Sequence, residues 1–204
     1  MAGEGVLATL QAGWDALAEI DAPKAVIGGL ALVAWKHARY TRDADILIAI
    51  EPDRIDELIE ALTNAGFQPR HTPPLRLIDG QGIVQFTFLP ADALMPFQFD
   101  LLLVNGDFQR TAVTRAVSWP LRQAAAPVRV VRPDDLIVIK LLAGRIIDRA
   151  DAAMILRENC DEIDFTRLHH EVIRQRVVAE YREIWREAFP NEVVPDLGWL
   201  SHPP

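Results

Sequence analysis

VIGGLALVAWKHARYTRDADILIAI, Val26–Ile50, decides the fold of this 204-residue chain. It reads as a short apolar strand closing on Gly28-Gly29, an apolar helical segment from Leu30 to about Lys36, and a polar turn. A second strand follows, carrying Asp43 and Asp45 into the apolar run Ile46–Ile50. Side chains two apart on a strand share a face, so both carboxylates project together while Ala44 and Ile46 point the other way. Like charges held that close destabilise one another unless something neutralises them. A hard divalent cation does so, and Mg²⁺ is the usual one where phosphates are handled. The paired glycines let backbone N–H groups approach a ligand with no Cβ in the way, and the helix behind them offers a positive end to a phosphate. A nucleoside triphosphate held through metal is the ligand these features expect.

The double glycine, followed by Arg39-x-Thr41-x-Asp43-x-Asp45 and an apolar strand, resembles the signature of the nucleotidyltransferase superfamily, and within it the AbiEii toxin-like branch. Two later stretches resemble the same branch. Phe99-Asp100-Leu101 sits in the run Gln98–Val104, where an isolated carboxylate among apolar neighbours needs compensation; the resemblance implies that Asp100 is the third carboxylate of the metal site. Leu136–Arg145, with Lys140 alone in a nearly all-apolar helix, precedes Asp148 and Asp151. There the resemblance implies that Lys140 faces the active site and contacts triphosphate oxygens as a point charge, while Arg145, Asp148 and Asp151 orient the nucleotide. The competing reading of Lys140 is a stem that snorkels to water. On both, Lys140→Met is expected to spare the fold. Gly29 stands where many of these toxins carry Ser.

Around these motifs the periodicity predicts a helix over residues 4–20 and another from Glu51-Pro52-Asp53 to Asn64-Ala65-Gly66. It then predicts a hairpin of Leu75–Ile78 and Ile83–Leu89 through Asp79-Gly80-Gln81-Gly82, and a helix over Asp107–Val117. A short strand at Val128–Val131, a helix opening at Pro133, and helices over Phe165–Arg176 and Val177–Phe189 before a Pro-rich tail complete the reading. The expected architecture is an α/β (α+β) nucleotidyltransferase-like core, a small mixed sheet flanked by helices, over residues 1–132. A helical C-terminal part, residues 133–204, is expected to pack on it.

A single cysteine, Cys160, leaves no internal disulfide. No apolar run approaches the roughly 18 residues of a membrane span, and no basic-then-apolar leader is seen, so a reducing cytoplasm is the expected compartment. Net charge −8 and pI near 5.1 argue against a surface that coats nucleic acid broadly, though not against a local basic cleft. His169-His170-Glu171 lacks the i,i+4 spacing of a helical metal site and reads as a solvated face. His37 lies near the first motif without an assigned role.

What the resemblance implies for function is transfer of a nucleoside monophosphate from an NTP to an acceptor hydroxyl or phosphate. Asp43, Asp45 and Asp100 would hold one or two Mg²⁺, Gly28, Gly29, Arg39 and Thr41 would surround the phosphates, and Lys140 would add charge. The acceptor could be a tRNA end, making the chain the toxin of a toxin–antitoxin pair with an antitoxin protein as partner and Arg167, Arg174, Arg176, Arg182 and Arg186 as RNA contacts. A small-molecule acceptor of the antibiotic type, and a silent nucleotide-binding module of the same fold, stay open.

Overall fold

A computed structural model describes residues 3–37, 39–78, 80–120 and 127–197. Asp79 of the expected hairpin turn, and residues 198–204 of the Pro-rich tail, lie outside the described residues. Contacts divide the chain into two compact units, residues 1–34 with 38–131, and residues 35–37 with 132–204.

The first unit is a mixed sheet with helices. Helix α1 (Glu4–Ala16) buries Val6, Leu10 and Trp14, the stripe that the sequence spacing indicates, and ends earlier than residue 20. Strand β1 (Lys24–Ile27) runs into α2 (Gly28–Ala34), which starts at the first glycine rather than at Leu30. Strand β2 (Asp43–Ile48) follows. A 3₁₀ turn over Pro52–Arg54 leads into α3 (Ile55–Asn64). Next come β3 (Gln68–Pro69), β4 (Leu75–Ile78), β5 (Gln81–Phe88) and β6 (Phe97–Leu103), then α4 (Asp107–Arg115), β7 (Val117–Trp119) and β8 (Val128–Val130). Val117 thus opens a strand, not a helix end: it pairs with Val130 in the antiparallel β7–β8 ladder, and that long-range pairing leaves no local period to read.

The strand order is β3-β5-β6-β2-β1-β8-β7, with β4 also paired to β5. Strands β2 and β6 run parallel, with Asp43 opposite Gln98 and Asp45 opposite Asp100. Antiparallel β5 places Gln85 opposite Asp100. Alternation sends the other side chains of these strands, Ala44, Ile46, Phe99, Leu101, Val84 and Phe86, into the core, all fully buried. On that side α1 approaches β6 so closely that a Cβ at Gly5 would overlap the Phe97 ring and one at Gly13 the Phe99 ring. Phe99 in turn meets Phe67, ring centroids 4.9 Å apart. Packing on one side of β6 therefore fixes what its other side presents.

The second unit is helical: α5 (Pro133–Ala143), α6 (Ile146–Glu158), α7 (Phe165–Arg174) and α8 (Val178–Ala188). Pro133 occupies the first turn of α5, where a missing N–H costs nothing. Gly144, left-handed at φ 69°, ends it and returns its N–H to the Lys140 carbonyl. The chain reverses there into α6, which the sequence shows only as an Asp-x-x-Asp spacing. Asp164 caps α7 by accepting from the Arg167 N–H. His169 and Tyr181 share a hydrogen bond of 2.9 Å, with burial lowering the His169 pKa and raising that of the Tyr181 hydroxyl. That bond gives His169 a structural partner between helices. Among the described residues no helix is long and apolar enough to cross a membrane.

Candidate active site

The sheet register assembles a row of polar side chains across three strands: Asp45 on β2, Asp100 on β6 and Gln85 on β5. Asp43 and Gln98 form the next row on the same face. Burial raises the Asp100 pKa above its ordinary value, and the negative charge of Asp43 adds to that. The hydrogen bond from Gln85, the positive charge of Arg70 and, least, that of His71 oppose it. Gln85 Nε2 donates to Asp100 Oδ2 at 2.8 Å, while Asp100 Oδ1 is buried and receives no hydrogen bond. A buried carboxylate oxygen without a donor costs free energy on the order of 1–3 kcal/mol or more.

Gly28 and Gly29 border this row. A Cβ on Gly28, whose φ is +63°, would collide with Asp45 Oδ2, and one on Gly29 would lie 2.5 Å from Thr41 Oγ1 and 2.7 Å from Thr41 Cβ. The room left by the two absent side chains is therefore taken by Asp45 and Thr41, which brings a carboxylate against the backbone at the start of α2. Thr41 itself donates to the Asp43 carbonyl at 3.3 Å. Arg39 is half-buried in the segment leading into β2.

Farther along the same face the polar character turns basic. His71 Nε2 lies 3.1 Å from Gln85 Oε1, Arg76 Nη1 lies 3.5 Å from that ring nitrogen, and Arg70 Nη1 donates to Gln98 Oε1. No carboxylate among the described residues forms an ion pair with Arg70, His71 or Arg76. The sequence gives little sign of the amides and this basic group, where only the alternation of Gln85 with Thr87 and of Gln98 with Asp100 hints at a polar face.

Lys140, Asp148, Asp151, Arg145 and His37 gather in the second unit. Lys140 is 4% exposed, and its ammonium donates to Asp148 Oδ1 at 2.8 Å and Asp151 Oδ2 at 2.9 Å. It does not snorkel, and two carboxylates of its own unit compensate its charge. These contacts reverse what is expected of Lys140→Met: taking the ammonium from between two buried carboxylates should cost stability rather than spare the fold. Burial works to raise the Asp148 pKa, but hydrogen bonds and charge from Arg145 and Lys140 outweigh it, and the carboxyl lies below its ordinary value of 3.8. Arg145 reaches Asp148 Oδ2 at 2.6 Å from an exposed position. His37 closes the group, Nε2 at 4.0 Å from Asp151 Oδ1 and Nδ1 at 3.7 Å from Glu158.

Of the arginines expected to meet RNA, Arg167 is committed to Asp135 at 3.0 Å, and Arg174 stands 3.8 Å from Glu171. Arg176, Arg182 and Arg186 are exposed. Among the described residues no three carboxylate, imidazole or thiolate groups are drawn together as a finished metal cage. What the site offers a hard cation is oxygen chemistry of the right kind: same-face carboxylates and one buried oxygen with uncommitted lone pairs, Asp100 Oδ1.

A family model described as "Nucleotidyl transferase AbiEii toxin, Type IV TA system" matches residues 15–199. The chain belongs to this AbiEii family. It is thus a nucleotidyltransferase by family, and the two acidic motifs and the Lys140 helix fall inside the match. Solved structures share the fold at low identity. An antigenic nucleotidyltransferase-like protein from Paracoccidioides brasiliensis is 14% identical with TM-score 0.52, covering 95% of this chain and 96% of its own. JHP933 from Helicobacter pylori is 15% identical with TM-score 0.50, covering 97% and 87%. ANT(2")-Ia, solved in complex with adenylyl-2"-tobramycin, is 18% identical with TM-score 0.50, covering 86% and 98%. No curated protein matches the sequence.

Proposed function

We propose that this AbiEii-family chain moves a nucleoside monophosphate from an NTP to an acceptor hydroxyl or phosphate in a divalent-metal-dependent reaction. The bond from the α-phosphorus to the pyrophosphate oxygen breaks as the bond to the acceptor oxygen forms, and the hydroxyl proton departs to a base. The observation that carries this reading is the row of Asp45 and Asp100 on neighbouring parallel strands, with Asp43 on the same face and Asp45 tucked against Gly28. Asp43, Asp45 and Asp100 would hold one or two Mg²⁺, which supply Lewis acidity to phosphate oxygens and lower the pKa of the attacking hydroxyl. Backbone N–H groups at Gly28 and Gly29, with Arg39 and Thr41, would receive the phosphates. Asp100 Oδ1, buried and without a donor, is free to ligate the cation or to accept the hydroxyl proton. Lys140, held between Asp148 and Asp151, would position α5 and α6, with Arg145, paired to Asp148 at the surface, adding positive charge there.

For the acceptor we favour RNA, such as a tRNA end, acting in the cytoplasm as the toxin of a pair with an antitoxin protein. The family description supports the toxin context. Arg70 and His71 in the loop after β3 and Arg76 on β4, outside any carboxylate ion pair among the described residues, support an anionic acceptor. The second reading, a small antibiotic-type acceptor, has support in the adenylylated tobramycin bound by one structural neighbour. Such aminoglycosides are polycations, which that basic group repels.

Incubation with each labelled NTP, Mg²⁺ and total cellular RNA tests the proposal, and label is expected on RNA. Asp43→Asn and Asp45→Asn should abolish transfer while leaving the apo fold as stable as before or more so, since each removes one of two repelling charges. Label transferred equally well by either variant overturns the metal assignment. Label on tobramycin but not on RNA favours the second reading, and no label on any acceptor favours a silent nucleotide-binding module.

A further inference from the structure

Asp100 has one oxygen held and one oxygen bare, and that asymmetry has a source outside the carboxylates. We propose that Gln85 is the positioning residue for Asp100, and that His71 acts through Gln85 by fixing which end of its amide faces the carboxylate. The inference rests on the reading of Asp100 as a cation ligand.

A glutamine amide has a donating and an accepting end. With Nε2 toward Asp100 Oδ2, at 2.8 Å, the carboxylate receives a hydrogen bond. Flipped, the amide would set two acceptor oxygens face to face inside a partly buried sheet, which is repulsive. The observed orientation leaves Gln85 Oε1 pointing at His71 Nε2, 3.1 Å away, so that ring nitrogen carries the proton and donates it. A protonated Nε2 has no lone pair for Arg76 Nη1, which accordingly stays at 3.5 Å as a neighbour. The chain of donors runs one way, from His71 to Gln85 to Asp100, and it ends on Oδ2. Because Oδ2 is satisfied and the ring of Phe99 is locked in the core, the carboxylate plane is set, which leaves Oδ1, buried and without a donor, as the oxygen with uncommitted lone pairs.

Sheet register gives the relay its rigidity. Gln85, Asp100 and Asp45 are opposite one another across β5, β6 and β2, so a change in the Gln85 rotamer is felt one strand away. His71 follows β3, whose Gln68 and Pro69 pair with Thr87 and Phe86, and the Arg70 N–H donates to the Gln85 carbonyl at 2.9 Å. The backbone on both sides of the His71–Gln85 contact is thereby tied down. Outer partners of metal ligands contribute roughly 10–100-fold to metal affinity in general, which sets the scale here.

The test is Mn²⁺ titration of the intact chain by calorimetry without nucleotide, together with the Mg²⁺ concentration for half-maximal transfer. Gln85→Leu is expected to weaken Mn²⁺ binding and raise the Mg²⁺ requirement by about tenfold or more, and His71→Ala by a few-fold. The double variant should be no weaker than Gln85→Leu alone within about twofold, because the amide carries most of the effect of His71, whose own charge is the smallest influence on Asp100. His71→Asn, whose amide can still donate, should recover part of the loss. His71 sits in a half-exposed loop, so its variants keep the question answerable if Gln85→Leu fails to fold. Effects that multiply in the double variant overturn the relay, as does Mn²⁺ binding lost in Asp100→Asn but kept in Gln85→Leu. Unchanged Mn²⁺ binding in Asp100→Asn overturns the metal reading itself and, with it, the purpose assigned to the relay.

Discussion

Replacing Lys140 by Met swaps an ammonium for an apolar side chain of similar length, and in an apolar helix that change alone would be harmless. In this chain the ammonium lies between Asp148 Oδ1 at 2.8 Å and Asp151 Oδ2 at 2.9 Å, both carboxylates 2% exposed or less. Breaking a buried ion pair from one side costs about 3–5 kcal/mol, since the orphaned charge stays desolvated. Asp148 keeps Arg145 and Asp151 keeps His37 at 4.0 Å, so the cost is that of a weakened charge cluster in which both carboxylates lose the same ammonium. At about 2–4 °C per kcal/mol for a chain of this size, the melting temperature should drop by about 6–20 °C, measured by calorimetry without nucleotide. Adding Asp151→Asn to Lys140→Met removes one of the two buried negative charges and should restore part of the loss. Lys140→Met melting within about 2 °C of the wild type would show that the pair contributes little and that the charge balance drawn here is wrong.

Gly29→Ser should destabilise the chain, because its Cβ would lie 2.7 Å from Thr41 Cβ, and Thr41→Gly should rescue it; thermal melts of the single and double variants decide this. Asp148 has a depressed pKa, so its contribution is complete above the unfolded carboxyl pKa of about 3.9 and disappears as pH falls through the lower folded value. Melting temperatures measured from neutral pH down to strongly acidic solution should therefore fall less steeply for Asp148→Asn than for the wild type, and parallel curves would contradict the assignment. If RNA is the acceptor, replacing Arg70 and Arg76 by Gln should lower its affinity and flatten its salt dependence, by a slope of about 0.7 for each phosphate no longer neutralised. NTP affinity should not change.

The acidic strand, the double glycine and the isolated Asp100 are legible because each carries its signal in neighbours along the chain: a two-residue alternation, a missing side chain, a charge in an apolar run. Residue types alone do not show where the glycines' vacated space goes. Only the fold reveals that Asp45 and Thr41 fill it. Lys140 is recognisable as needing a partner, but that partner lies across the Gly144 reversal on a helix visible in sequence only as two aspartates three residues apart. Gln85 and His71 are 14 residues apart and join through sheet pairing, which no local period encodes. Helix α1 follows from its apolar stripe, yet its two glycines look like weak points in a helix until Phe97 and Phe99 appear against them.

Those two glycines bear on how far the chain can be shortened. The family match begins at residue 15, after most of α1, and every acidic, amide and basic side chain discussed above lies downstream of it. A chain trimmed to start at residue 15 would keep all the chemistry and lose the surface against which the rings of Phe97 and Phe99 rest. Strand β6 would then keep Phe67 against Phe99 but lose the helix over that side, and with it part of what fixes the pitch of the side chains on the other. Such a fragment should collect in inclusion bodies or, if refolded, bind Mn²⁺ poorly despite having every ligand. The segment with no functional residue of its own is the one on which the aim of Asp100 depends.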